Sequence, residues 1–130
     1  MDNIHVPVSP GEVLDKITIL EIKSERMEDP EKVANVRVEL GLLQETWAKA
    51  VTGDDTIRDL HAQLKEINEA LWEIEDDIRD KERLREFDER FIELARAVYF
   101  TNDKRSQVKK ELNLHLGSQI IEEKSYQDYS

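Results

Sequence analysis

From Thr56 to Leu116 the chain contains neither glycine nor proline, and across that run large apolar residues recur every three or four positions. Only an α-helix gathers positions with that period onto one face, so strands are excluded over almost half the sequence. Ile57, Leu60, Leu64, Ile67, Leu71, Ile74 and Ile78 keep the rhythm strictly. It breaks at Lys81 and resumes, shifted, as Leu84, Phe87, Phe91, Leu94 and Val98. Such a phase slip means a local change of winding in one helix or a loop between two. A continuous helix from 56 to 100 would be about 68 Å long, too long for a compact chain of this size. The spacing therefore predicts a break or sharp bend near residues 82–88, with Asp88 as a cap. Beyond it, the helix continues through Thr101-Asn102-Asp103 or restarts there, and Gly117 ends it. Residues 56–116 thus read as one bent helix, two or three.

The N-terminal third is punctuated more clearly. Residues 1–8, with Ile4, Val6 and Val8 alternating with polar residues and Pro7, read as an extended arm lying against helices. Ser9-Pro10-Gly11-Glu12 is a cap, a first-turn proline and a carboxylate that can reach back to the cap amide, with Val8 and Val13 as a hydrophobic staple. A first helix then runs to about Met27. Asp29-Pro30 repeats the pattern and opens a second, whose Val33, Val36, Leu40, Leu43, Trp47 and Val51 form a coiled-coil-like seam. Gly41 inside it suggests a close helix crossing. Thr52-Gly53-Asp54-Asp55 stops that helix, with Gly53 as a left-handed terminator. Residues 118–130 form a C-terminal tail.

These elements give an all-α fold: one domain over residues 1–130, an antiparallel bundle of about four helices, one or two of them long and coiled-coil-like, with an extended N-terminal arm. Four glycines and three prolines are too few for the turns of an all-β chain. A compact protein of this mass exposes about 7,100 Å². There is no cysteine, so disulfides, thiolate metal sites and cysteine nucleophiles are ruled out. The formal net charge of −11 repels nucleic acid and anionic bilayers at long range. No apolar run reaches the ~18 residues of a membrane span, and the N-terminus lacks the pattern of a secretory signal, so a cytoplasmic setting is expected.

Chemistry is concentrated on two helices. Between Lys104 and Lys110 stand four cations and no carboxylate. With Arg96, Tyr99, Asn102 and Asp103, they suit a phosphate or carboxylate, which Arg grips with paired hydrogen bonds. Arg96, Tyr99, Asn102, Arg105 and Lys109 are accordingly the candidate ligand-binding residues, with Lys16 or Lys23 from the first helix completing an anion site. Asn68, Trp72, Glu75 and Arg79 flank the apolar seam of the third helix, and their expected partners are the cations of the fourth. Glu12, Asp15 and Asp103 join this supporting polar network, and Glu12 or Asp15 could serve as an acid or base if burial shifted its pKa. His5, His61 and His115 form no metal-binding motif, no glycine-rich phosphate loop is present, and no metal or cofactor is expected.

Several stretches resemble a small bacterial and phage-borne family of unknown function with chains of about this length. They are Ser9 to Lys23, Asn68 with Leu71-Trp72-Glu73-Ile74-Glu75-Asp76, the Phe87 to Arg105 segment, and Gly117-Ser118 with Glu123-Lys124-Ser125-Tyr126. The resemblance covers nearly the whole chain, and implies a single-domain cytosolic protein of genes that often accompany surface-polysaccharide metabolism. A looser similarity to helical chorismate mutases rests on Lys16, Arg96, Arg105 and Glu75, although their order and spacing depart from that family's. Two functions follow as expectations. One is a non-catalytic interaction or accessory protein with a protein partner or a second copy, since the seams of helices two and three exceed what one chain covers. The other is a binder of, or enzyme for, a small anionic metabolite: a phosphate, nucleotide sugar or dicarboxylate.

Overall fold

The computed structural model describes residues 1–129. It contains four helices, α1 (Pro10–Arg26), α2 (Pro30–Ala50), α3 (Asp55–Leu84) and α4 (Glu89–His115), and no strand among the described residues. Ser130, the end of the expected tail, lies outside the described residues. No helix among them is long and apolar enough to cross a membrane.

Local chemistry sets the boundaries. Ser9 caps α1, its hydroxyl accepting from the Glu12 amide at 3.2 Å, and Asp29 and Asp88 cap α2 and α4 in the same manner. The expected break falls at residues 85–88, where Arg85 adopts a left-handed conformation at φ 55°. Lys81, which interrupts the apolar rhythm, bonds Glu86 at 2.9 Å and Asp88 at 2.8 Å across this turn. A seam position has become a turn clasp. The fourth helix continues through Thr101-Asn102-Asp103 without a restart, and Gly117 follows it at φ 65°.

Three expectations fail here. Gly53 is not left-handed: α2 ends on Val51 in extended conformation, and Asp54 caps α3 directly. Gly41 marks no crossing, because nothing lies within 4 Å of where its Cβ would stand. The N-terminal arm does not pack: Ile4, Val6 and Val8 are all exposed.

The core gathers Leu14 of α1, Ile57, Leu60 and Leu64 of α3, and Val108 and Leu112 of α4. Trp47 and Val51, at the end of α2, and Leu116 pack against it. Otherwise α2 lies along α1 alone and contains no buried residue. Its half-buried positions are the seam Val33, Val36, Leu40, Leu43, Trp47 and Val51. The first turn of α1 meets the end of α4, where Gly11 donates to Asn113 Oδ1 at 2.7 Å. Its last residue, Arg26, pairs with Glu69 and Glu73 in the middle of α3, at 3.4 and 3.5 Å. Beyond Glu73, α3 runs to Leu84, about 16 Å further at 1.5 Å per residue. The distal half of the α3–α4 hairpin therefore stands as a two-helix arm with no third helix against it. This shape raises the exposed surface to 9376 Å², well above the compact expectation.

Candidate functional site

Where α1 ends and the arm begins, the three core helices leave a notch of about 660 Å³. Its apolar wall is Ile19 and Ile22 of α1 with Leu71 and Trp72 of α3. Lys23, Arg79, Asn102 and Arg105 bring cationic and amide groups to the lining, and Glu75 and Asp76 bring carboxylates. With the Asp15 carboxylate beneath Arg105, three cations meet three carboxylates, so the notch is locally neutral in a chain of net charge −11.

A buried polar network forms its floor. Asp15 is 4% exposed, Thr18 0% and Asn68 5%. The Asn68 amide donates to Asp15 Oδ1 at 2.9 Å and to Thr18 Oγ1 at 2.8 Å, while the Thr18 hydroxyl donates to the Asp15 carbonyl at 2.7 Å. Arg105 Nε stands 4.0 Å from Asp15 Oδ1, near enough to balance its charge but beyond hydrogen-bond distance. That nitrogen is buried and has no hydrogen-bond partner. A buried donor left unsatisfied costs about 1–3 kcal/mol.

The family of unknown function DUF6165 matches residues 4–129. The chain belongs to DUF6165. No curated protein and no solved structure matches it.

In this DUF6165 chain the candidate residues separate into four places. Asn68, Trp72, Glu75, Arg79, Asn102 and Arg105 converge on the notch, above Asp15. The partners of Asn68 lie on α1 rather than on α4, and Arg79 binds Glu75 on its own helix at 3.1 Å. Lys109 and Glu12 form a separate clamp. The Lys109 side chain is 7% exposed and bonds Glu12 at 2.7 Å and Glu122 of the tail at 2.9 Å, so Glu12 faces this lysine instead of closing a capping box. Arg96, Tyr99 and Asp103 belong to the outer face of α4. There Arg96 stacks on Phe100 and the Tyr99 and Phe100 rings meet Tyr129, whose hydroxyl donates to Asp103. That bond pushes the Tyr129 pKa up to about 12. Lys16 points elsewhere, pairing with Glu39 of α2 at 3.0 Å.

Sequence reasoning missed Thr18, although its position was informative. It stands one turn from both Leu14 and Ile22, so a hydroxyl occurs in the middle of an apolar face and needs a buried partner. Lys23 was noted as a possible anion ligand, and it is the α1 lysine that lines the notch.

Three titrating groups brace the surrounding structure. Hydrogen bonding to His61 Nε2 at 2.8 Å holds Glu21 below the usual carboxylate value, against the opposing effect of burial. Hydrogen bonding to Lys109 lowers Glu122 likewise. Burial disfavours the Lys109 charge, but its bonds to Glu12 and Glu122 outweigh this and raise its pKa. The two glutamates bind protons less readily folded than unfolded, so their contribution is complete above the ordinary value of 4.5 and disappears as pH falls through the lowered values. The lysine's contribution is present at neutral pH and is lost only as pH rises beyond 10.5. Urea unfolding at stepped pH should show the midpoint falling below about pH 4.5, and Glu21→Gln combined with Glu122→Gln should make that decline shallower.

Proposed function

We propose that this chain is a helical binding module whose notch takes a small organic anion, a carboxylate or phosphate ester with an apolar body. The observation that carries this reading is Arg105, whose side chain lines the notch and is 30% exposed, while its buried Nε has no acceptor within the chain. An anionic oxygen pairs with the accessible part of this guanidinium, with Asn102 and Lys23 as further donors, while Trp72, Leu71 and Ile22 take the apolar portion. Binding rather than conversion is supported by Glu75, the carboxylate best placed as an acid or base, being held by Arg79. The net charge of −11 disfavours a nucleic acid as the anion, and a cytoplasmic setting belongs to the same proposal.

A thermal-unfolding panel of phosphates, nucleotide sugars and dicarboxylates tests it. A ligand at 100 times its dissociation constant stabilises the chain by about 2.7 kcal/mol. Arg105→Ala should weaken such a ligand by about 30-fold, corresponding to the loss of a charge-assisted hydrogen bond of about 2 kcal/mol. Absence of a shift across the panel, or an undiminished shift in Arg105→Ala, would overturn the proposal.

A further inference from the structure

We infer that a second site, on the outer face of α4 and separate from the notch, binds an organic cation of the quaternary ammonium class. Its parts follow from the helix repeat. Tyr99 and Asp103 are four residues apart, and Arg96 and Phe100 form an adjacent pair with the same spacing, so all four share one side of α4. The C-terminal tail returns along this helix, held by the bond from Lys109 to Glu122 at 2.9 Å and by the Tyr129 hydroxyl donating to Asp103. Between tail and helix lies an open cleft of about 790 Å³. Its wall contains all three tyrosines of the chain, Tyr99, Tyr126 and Tyr129, with the carboxylates of Asp103 and Asp128.

Rings, exposure and charge select the ligand. Tyr129 rests against Tyr99 and Phe100, with centroids 5.2 and 4.8 Å away, whereas Tyr126 makes no ring contact among the described residues and lines the same cleft alone. Anchoring the tail would by itself bury these rings, yet Tyr99, Tyr126 and Tyr129 are exposed by 42%, 82% and 50%. The face of an aromatic ring is negative and attracts a cation. The chain's own cations already do this here. Arg96 stands 5.6 Å from the Phe100 centroid, and Lys124, in the cleft wall, 5.3 Å from that of Tyr126. Two carboxylates against one lysine make the wall negative, and the net charge of −11 draws cations from a distance. An alkylated ammonium fits better than a primary one. A primary ammonium brings three donors that each need an acceptor, while Asp103 already accepts from Tyr129. A quaternary ammonium has no donor to satisfy, and its methyl groups lie against the rings.

Proton NMR of choline and tetramethylammonium titrated with the full chain tests this. Binding against ring faces should move the N-methyl resonance upfield, which charge attraction alone does not do. The neutral isostere of choline, 3,3-dimethylbutanol, should bind about tenfold more weakly. Tyr126→Leu should weaken choline by a similar factor and Tyr126→Phe should retain it, both with unchanged helical circular dichroism because this side chain is exposed. Lys124→Gln should tighten binding, since it removes the cation that competes for the Tyr126 ring. A peptide bearing trimethyllysine, compared with choline, distinguishes a group carried on a protein from a free compound, and an upfield shift with either supports the site. No saturable binding of choline, tetramethylammonium or the peptide at millimolar concentration would overturn the inference. So would equal binding of the neutral isostere, or undiminished binding in both Tyr126→Leu and Tyr99→Leu.

Discussion

Replacing Gly11 by alanine should destabilise the fold by about 2 kcal/mol, whereas the same replacement at Gly41 should stabilise it by about 0.5–1 kcal/mol. Both glycines lie within helices, and intrinsic propensity favours alanine at each. Their surroundings decide the sign. A Cβ on Gly11 would stand 2.7 Å from the Lys109 carbonyl oxygen and 2.9 Å from Asn113 Oδ1. The first of these atoms is backbone, so relief requires α1 and α4 to separate. Separation stretches the bond from the Gly11 amide to Asn113 Oδ1, which satisfies one of the donors that a helix start leaves without intrahelical partners. It also disturbs the adjacent Lys109 clamp. At Gly41 nothing stands within 4 Å, and alanine acts mainly by narrowing the unfolded ensemble. Urea unfolding of the two variants, with equal m-values, measures both effects. Equal signs would mean that the contact between α1 and α4 does not decide the outcome.

The two glycines also illustrate what was legible in the sequence. Apolar period, caps and the proline positions located the helical segments and a break near residues 82–88, because these are local signals repeated along the chain, but left open whether residues 56–116 form one bent helix, two or three. The coiled-coil-like seam of α2 proved to be half-buried along α1, with only Trp47 and Val51 packing against the core. Periodicity reveals which residues face something, but not how much covers them. Close approach is likewise a property of the partner helix. Nothing local distinguishes Gly11, pressed on α4, from Gly41, facing open space.

The notch was legible in part for the same reason. Asn68, Trp72, Glu75 and Arg79 share one stripe of α3, so the structure brings them together as one helix face must. The basic run of α4 was identified as a group, yet its members diverge around that helix. Arg105 reaches the notch, Lys109 is consumed by Glu12 and Glu122, and Arg96 lies over Phe100. Lys16 and Lys23 are on the same side of α1, seven residues apart, and only the direction of α2 decides that Lys16 is taken by Glu39. Such divisions depend on contacts between elements distant in sequence.

Asn68→Ala should cost about 3 kcal/mol, more than is usual for losing one polar side chain. Its amide donates to two acceptors, one of them the carboxylate of Asp15, which is 4% exposed. With the amide removed, Arg105 Nε at 4.0 Å is the nearest charge partner of a buried anion, and a charge stripped of its hydrogen bond in such a place is expensive. The neighbouring truncation, Asp15→Ala, removes the anion itself, so adding Asn68→Ala to it should cost much less than in the parent chain. A double-mutant cycle in urea should give a coupling of at least about 1 kcal/mol between the two positions. The same substitution bears on the notch. Short of one donor, Asp15 holds Arg105 more strongly and in competition with an external anion, without regaining both bonds that Asn68 supplied to it and to Thr18. Asn68→Ala should therefore lower both stability and anion affinity, whereas Arg105→Ala should remove the affinity chiefly. If Asn68→Ala costs less than about 1 kcal/mol, the buried network is not what holds Arg105 open to the notch.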